Sequence, residues 1–167
     1  MLQSCGVIPY RFNSNDEIEF FVGHPGHPSW KGKNFWLFIK GHREDGEDML
    51  ATAKREFKEE TGISLGDIPD SDFIYLGEIQ QSQFKKSVAY GLRYDDIDPR
   101  KCVSSVDENG DIEVDMFEWK TFDELMRCTH PSHWQFYQSL KDMSAFKSYE
   151  NENMMESEDE ILDDSGY

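Results

Sequence analysis

The sequence predicts a layered α+β domain built on a mixed β-sheet. Short runs with the two-residue alternation of strands interleave with helical stretches, and they do so without a regular β-α-β repeat. The length of 167 residues is that of one ordinary domain, and 37% apolar and 14% aromatic residues suffice for a core. We therefore expect one domain of this class.

The first half of the chain predicts a hairpin, a loop and a third strand. Residues 4–9 and 18–23 have strand character, and the polar turn from Asn13 to Asp16 between them favours a hairpin. A Gly-, Pro- and His-rich loop follows at residues 24–34, and residues 35–39 have the apolar character of a short buried strand. Three strands are thus expected before the first helix.

The remaining elements start with a helix expected from about Glu47 to Thr61. Its apolar residues repeat at helical spacing, and Gly62 is well placed to end it in a left-handed cap. Thr121 and Glu124 have the spacing of a capping box, which predicts a helix at residues 121–126. Further strands are expected at 73–80, 86–94 and 114–119, and a last helix at 132–143.

Composition and charge exclude several classes of protein. No apolar run approaches the roughly 20 residues of a membrane helix, and the N-terminus lacks a secretory pattern, so a cytoplasmic location is expected. The three cysteines are odd in number and widely spaced, which predicts free thiols. A net charge of −17 argues against polymeric nucleic acid, whereas carboxylates that hold a divalent metal attract a small phosphate ester.

The end of the chain is strongly acidic. Eight Asp and Glu residues and no Lys or Arg follow residue 148. Blocks of like charge repel one another, so residues 148–167 are expected to form a disordered tail, and residues 1–147 the folded domain.

Three glutamates of the central helix point to a metal. Glu56, Glu59 and Glu60 stand at i, i+3 and i+4, so their carboxylates emerge on one face beside the apolar stripe. Most acidic helix faces are solvated or paired with nearby cations, which is the simpler interpretation of these three residues alone. Carboxylates at the edge of a core favour a hard cation, and Mg²⁺ commonly bridges such groups to phosphates.

A longer pattern decides between these interpretations. From Gly41 to Ile63 the chain has Gly, five residues, Glu47, seven residues, Arg55-Glu56-Phe57, one residue, Glu59-Glu60, one residue, and Gly-Ile. This pattern resembles the box of the Nudix hydrolases at each defining position, and similarity extends over roughly residues 6–140. The resemblance implies an α/β/α sandwich and hydrolysis of a phosphoanhydride in a nucleoside diphosphate derivative.

The resemblance also implies roles for residues of the box. Glu56, Glu59 and Glu60 match the metal-binding glutamates, and the Gly41 carbonyl matches a further ligand for Mg²⁺ or Mn²⁺. Arg55 matches the arginine that orients the carboxylates. Glu47 and Gly62 match structural positions of the box, Glu47 as the usual partner of that arginine.

Outside the box, the loop from His24 to Trp30 resembles a bacterial Nudix subgroup with an HPGGPFW-like loop. Two departures stand out. Ile39 occupies a position where relatives usually have Pro, and residues 102–112 look shortened or diverged.

The general base and the substrate contacts are left open by the sequence. Glu60 and Glu113 are preferred as the base that activates water, with Asp107, Glu108 and Asp115 as alternatives. His24, Trp36, Lys40 and Arg93 are candidate substrate contacts, although a histidine or tryptophan at such places is as often structural.

A nucleoside polyphosphate, either a nucleoside triphosphate or a dinucleoside polyphosphate, is the first expectation for the substrate. ADP-ribose and nucleotide sugars come second, and capped RNA is disfavoured by the acidic charge. The hypothesis from another class is a non-catalytic Nudix module that binds a nucleotide. The complete set of box glutamates argues against it. The oligomeric state is not predicted.

Overall fold

A six-stranded mixed sheet forms the centre of the molecule. The computed structural model describes the backbone of residues 1–164 and the side chains of residues 1–147 and 149–154. The strands are β1 (Leu2–Phe12), β2 (Ile18–Pro25), β3 (Ile39–His42), β4 (Ile74–Gln80), β5 (Lys85–Arg93) and β6 (Val114–Thr121); the helices are α1 (Met49–Thr61), α2 (Phe122–Met126) and α3 (Trp134–Asp164).

Strand β1 organises the sheet. The order is β4-β5-β1-β2-β6, in which β1 runs parallel to β5 and antiparallel to β2. The first half of β1 also pairs with β3, from Ser4 opposite His42 to Val7 opposite Ile39. Because β1 is central and covered on both faces, its residues 4–10 are all buried. This pairing brings the chain before α1 to the middle of the sheet.

Helices cover both faces of the sheet. On one face, α1 packs through Ala53 and Phe57 against the sheet residues Phe21 and Val88. On the other face, Phe136, Tyr137 and Leu140 of α3 form a second core with strand residues that include Phe20. The α+β class and the α/β/α layering expected from the sequence are therefore confirmed.

The third strand lies later in the chain than the sequence predicts. Of the predicted run 35–39, only Ile39 belongs to a strand, and Leu37 forms an isolated bridge with Gly23. Trp36 and Phe38 are buried in the core on the α3 face. These two apolar side chains of the run fill this core, and ladder pairing with β1 begins only at Ile39.

The ends of the helices follow their capping signals. The Asp48 side chain accepts from the amide of Ala51 at the start of α1, and Gly62 ends this helix at φ 82°. The predicted capping box of Thr121 and Glu124 is present at α2. The three cysteines are free thiols, as expected.

The last helix extends beyond its predicted end. α3 continues to Asp164, through most of the segment for which the sequence predicts a disordered tail. Glu, Met and Lys have good helix propensity, and extending a helix that is already packed is easier than nucleating one. Residues 165–167 lie outside the described residues, and the boundary of the domain at residue 147 stays a prediction. Among the described residues, no helix has both the length and the apolar character needed to cross a membrane.

Candidate active site

Two carboxylates of α1 point toward the sheet. The side chains of Glu56 and Glu60 lie one helical turn apart, and these residues are only 8% and 7% exposed. Residue 57 between them packs in the core, which keeps this face of α1 against the sheet. Two acidic groups are thus held at the edge of a hydrophobic core.

A third carboxylate joins them from a distant part of the sequence. Glu113 precedes β6, and its oxygens lie with those of Glu56 and Glu60 so that one oxygen from each residue is within 4.8 Å of the others. Among the described residues, this is the one group of three or more His, Cys, Asp or Glu side chains that is arranged to hold a metal. The three residues line an open cleft of about 270 Å³ together with Lys40, Gly41 and His42.

Backbone hydrogen bonds hold Glu113 in place. Its amide donates to the Ser105 carbonyl at 3.1 Å, and its carbonyl accepts from the Gly26 amide at 2.9 Å. Residues 103–105 in turn bind the end of α1, since the amides of Val103 and Ser105 donate to the Thr61 and Glu59 carbonyls. The segment before β6 therefore satisfies the C-terminal end of the helix and positions a carboxylate beside it.

Gly26 allows this segment to approach closely. A Cβ atom at residue 26 would lie 1.8 Å from the carbonyl oxygen of Ile112, a backbone atom that cannot move independently of its neighbours. Only glycine fits, because the 112–113 backbone passes directly over this residue.

Gly26→Ala is therefore expected to displace Glu113 and to lower kcat about tenfold, with a smaller change in KM. Steady-state kinetics measure this effect. Gly66→Ala is the matched control, since a Cβ there meets only the Ser64 hydroxyl at 3.5 Å. Equal kinetics for the two variants would contradict the positioning role of Gly26.

The cluster is electrostatically unfavourable without a cation. The pKa of Glu60 is raised to about 10, mainly by burial and further by the hydrogen bond to Glu113 and the charges of Glu56 and Glu113. Burial also raises the pKa of Glu56, against the lowering effect of Arg55. Buried carboxyl groups with raised pKa values are suited to a hard divalent cation, because the cation offsets both burial and mutual repulsion.

This cluster predicts a pH dependence of stability in metal-free protein. Glu60 holds its proton up to a pKa of about 10 in the folded state, whereas an unfolded glutamate releases it near its ordinary pKa of 4.5. Unfolding therefore releases a proton between these values, and the free energy of unfolding contributed by Glu60 falls as the pH rises through this window. Thermal unfolding with chelator from pH 5 to 9 is expected to show a falling Tm, with a smaller fall in Glu60→Gln. Identical slopes in both proteins would refute this assignment.

Arg55 connects the loop before α1 to the cluster. Its Nε and Nη2 donate to the two oxygens of Glu47 at 2.9 and 3.0 Å, a bidentate pair, and Nη2 also donates to the His42 carbonyl. Its Nη1 donates to Glu56 at 2.9 Å. The Arg55 guanidinium and the Thr52 hydroxyl lower the pKa of Glu47 to about 2, so this residue is a fixed anion. Arg55 is thereby held in position to orient Glu56.

Gly41 lies directly against Glu56. A Cβ at residue 41 would be 2.0 Å from the carboxyl carbon of Glu56 and within 2.4 Å of both oxygens. The absence of a side chain therefore lets the carboxylate occupy this place, next to the β3 backbone. The three clustered carboxylates beside this backbone offer oxygen donors only, which fits a magnesium or manganese ion.

Glu59 lies outside the cluster. Its side chain is 48% exposed and reaches Arg55 at 3.4 Å. Of the three box glutamates, the structure brings together Glu56 and Glu60, while Glu59 stands at the solvent side of the same helix.

Lys40 is the candidate substrate contact that the structure places in the cleft. It lines the cavities at Glu60 and Glu113, and burial together with the charge of Lys85 lowers its pKa. No ion pair of Lys40 is found among the described residues, so its ammonium group is available to an anion.

His24 and Trp36 have structural partners. The His24 ring nitrogens face the Asp115 carboxylate at 2.7 Å and the Lys33 carbonyl at 2.8 Å. The Trp36 indole is buried in the α3-side core and donates to Asn34 at 2.9 Å. Both residues help to fix the loop between β2 and β3 rather than pointing into the carboxylate cleft.

Arg93 is remote from the cleft. It lies four residues along β5 from Ala89, whose β1 neighbour pairs with Lys40. At about 3.3 Å per residue this separation is about 13 Å. Arg93 instead pairs with Asp95 and lies over the Phe12 ring.

Two features of the site were missed by sequence reasoning. The His42 carbonyl that accepts from Arg55 lies 13 positions away in the same box, whereas the close approach at Gly26 joins segments far apart in the sequence. A glycine between Pro25 and His27 was the available signal at Gly26, but many loop glycines have no packing role.

The model of the family described as the NUDIX domain matches residues 6–140 of the chain. A protein of Acanthamoeba polyphaga mimivirus, named as a putative mRNA-decapping protein, is 32% identical over 123 residues, which is 70% of this chain and 32% of that protein. A Sus scrofa bis(5'-nucleosyl)-tetraphosphatase (asymmetrical) is 38% identical over 72 residues, 40% of this chain and 46% of that enzyme. The chain thus spans less than half the length of these relatives.

Solved structures share the fold. A C. elegans Ap4A hydrolase in a binary complex has a TM-score of 0.56 at 19% identity, covering 89% of this chain and 98% of that one. The NUDIX domain of Shewanella oneidensis NrtR, complexed with ADP ribose, has a TM-score of 0.60 at 11% identity, covering 86% and 88%. These similarities concern the architecture.

Proposed function

The chain belongs to the Nudix family, and from this premise we propose that it hydrolyses a phosphoanhydride bond in a nucleoside polyphosphate, with dinucleoside polyphosphates as the first substrate class. The observation that carries the proposal is the convergence of Glu56, Glu60 and Glu113 in one cleft with an available lysine. Similarity to the Sus scrofa bis(5'-nucleosyl)-tetraphosphatase supports dinucleoside polyphosphates as the substrate class.

The proposed cofactor is Mg²⁺, which Mn²⁺ can replace. Nudix hydrolases typically use a divalent metal, and we assign the ligands to Glu56, Glu60 and the Gly41 carbonyl, with Glu59 at the solvent side. When bound, the ion neutralises charge on the diphosphate and lowers the pKa of a bound water. Lys40 would bind a phosphate oxygen, and Arg55 would keep Glu56 in its orientation.

We assign the general base to Glu113. It is the exposed member of the three clustered carboxylates, so it can reach a water molecule in the open cleft. Glu56 and Glu60 are buried against the sheet and are better placed as ligands. The proton removed from the attacking water would pass to a Glu113 oxygen and from there to solvent.

Glu113→Gln is expected to lower kcat about 10²-fold with little change in KM, since glutamine cannot accept this proton. The control is Glu108→Gln, in the same loop but outside the carboxylate cluster. A Glu113→Gln variant that keeps more than half of the wild-type kcat would assign the base elsewhere.

Hydrolysis of the 5′ cap of RNA is a second candidate. The specific observation is the 32% identity to the mimivirus protein named for mRNA decapping. A cap is a 5′-5′ triphosphate bridge and so presents the same bond type. The net charge of −17 nevertheless disfavours a long RNA strand.

A substrate panel tests these proposals. Product release would be measured for diadenosine tetraphosphate, nucleoside triphosphates, ADP-ribose, nucleotide sugars and capped RNA, each with Mg²⁺ and with a chelator. We expect metal-dependent cleavage, fastest for the dinucleoside polyphosphate. Folded protein that cleaves none of them would support the alternative of a nucleotide-binding module, and preference for capped RNA would support the second candidate. The cytoplasmic location and the likeness to a bacterial subgroup stay predictions.

A further inference from the structure

Residues 20–43 have a net positive charge, whereas the chain as a whole is strongly negative. They contain no Asp or Glu, although the chain has 34 of these residues, and no other acid-free stretch is as long. The same stretch contains four basic residues and three histidines. In a protein with a net charge of −17, such a region attracts anions that the rest of the surface repels.

The middle of this stretch forms a fixed arm, residues 26–35. A 3₁₀ turn at Pro28–Trp30 begins it, and the Trp30 and Phe35 rings stack at 4.5 Å and 14°. The Lys33 carbonyl is held by His24 at 2.8 Å. The arm is thus ordered by its own contacts before any ligand binds, which reduces the entropy lost on binding.

Lys31 and Lys33 project from the arm. Both residues are exposed, and neither takes part in any of the ion pairs of the described chain. The Lys33 ammonium lies 5.4 Å from the Trp30 ring centroid, a contact that leaves its hydrogen-bond donors free. Two unpaired ammonium groups two residues apart are therefore available to phosphate.

A cavity of about 290 Å³ lies beside these lysines. Its lining includes His24, Asn34, Trp36 and Met116. Asp115 is the one carboxylate of the lining, and its oxygen is engaged by His24 at 2.7 Å. The volume approaches that of small-molecule sites, and the polar and aromatic lining suits a nucleoside.

This cavity and one at the carboxylates are lined by alternate residues of β2. Gly23 and Pro25 line a cavity with Glu60 and Glu113, whereas His24, between them on the strand, lines the cavity at the lysines. Successive strand residues point to opposite faces, so the two cavities lie on opposite faces of the sheet near the end of β2. A ligand that occupies both must pass around the end of β2, beyond Gly26 and the 112–113 backbone that covers it.

We propose that Lys31, Lys33 and the adjoining cavity bind the distal half of a dinucleoside polyphosphate, the phosphate and nucleoside beyond those held at the carboxylates. This inference rests on the proposed function and assigns a second subsite for the same substrate. A chain of several phosphates is flexible and anionic along its length. It can therefore bend around the end of the strand and still place a negative charge near the two lysines. ADP-ribose has only two phosphates, so it has no further anionic group that could reach Lys31 and Lys33.

The double variant Lys31→Gln/Lys33→Gln tests the proposal. We expect its KM for diadenosine tetraphosphate to rise about tenfold with kcat within twofold of wild type, because two charge-assisted contacts to the substrate are lost and the reacting groups are untouched. The Kd or inhibition constant of ADP-ribose is expected to stay unchanged. The matched control is Lys141→Gln/Lys147→Gln on α3, at the opposite end of β2, which is expected to behave as wild type.

Equal effects on both ligands, or no effect on diadenosine tetraphosphate, would overturn the proposal. So would a KM effect confined to a capped RNA of about ten nucleotides, which would show that the arm binds an RNA strand. If wild-type protein cleaves no substrate, the proposed function fails, and the subsite is then judged by equilibrium binding of diadenosine tetraphosphate through tryptophan fluorescence. A tenfold weaker Kd in the double variant supports the subsite, and an equal Kd rejects it.

Discussion

Glu60→Gln is expected to lower kcat about 10³-fold or more while the protein remains folded. Glu60 lies at the centre of the three-carboxylate cluster, and glutamine keeps its size but removes a charged metal ligand. The same change is expected to raise the Tm of metal-free protein at pH 8 by about 2–6 °C, because it removes a buried group whose ionisation opposes folding.

Steady-state hydrolysis with Mg²⁺ and thermal unfolding with chelator measure the two effects. Glu17→Gln, an exposed residue at the β1–β2 turn, is the control and is expected to change neither. Retention of more than a tenth of the activity by Glu60→Gln would show that the metal lies elsewhere. A lower Tm in the variant would contradict the electrostatic cost assigned to the cluster.

Gly41→Ala is expected to lower kcat about 10²-fold with little loss of stability. The new Cβ would lie 2.0 Å from the Glu56 carboxyl carbon, so that carboxylate must turn away from the cleft. Because it is the far end of a flexible side chain, it can move without disturbing the backbone. The variant keeps the glutamate but moves its carboxylate, so it tests whether activity depends on the position of that carboxylate.

Kinetics and far-UV circular dichroism of Gly41→Ala would be compared with those of Gly66→Ala, whose Cβ meets no close neighbour. Partial recovery of rate at high Mg²⁺ is expected, since a displaced ligand weakens metal affinity. Unfolding of Gly41→Ala, or wild-type rate, would contradict the proposed contact.

The helix of the site was predictable because its signals are local. The apolar spacing, the glycine cap at Gly62, and the i, i+3, i+4 glutamates all lie within one stretch of chain. The pairing of Arg55 with Glu47 follows the resemblance to the Nudix box, and the structure places these two side chains together.

The rest of the site depends on tertiary pairing. Glu113 joins Glu56 and Glu60 because its segment binds both Gly26 and the end of α1, contacts between residues up to 87 positions apart in the numbering. The alternation of apolar and polar residues predicts a strand that contains Arg93. It does not show that Arg93 lies at the end of the strand remote from the cleft. Likewise, Trp36 and Phe38 are apolar because they are buried on the α3 face, and their apolar character led to the prediction of a strand at 35–39.

The most direct test of the central claim, that the cluster of Glu56, Glu60 and Glu113 holds a divalent metal with Glu56 and Glu60 as ligands, is a Mn²⁺ titration followed by electron paramagnetic resonance. Wild-type protein is expected to bind Mn²⁺ in competition with Mg²⁺, and Glu60→Gln to lose at least tenfold in affinity for a bound ion. Binding of equal stoichiometry and affinity by both proteins would contradict the claim.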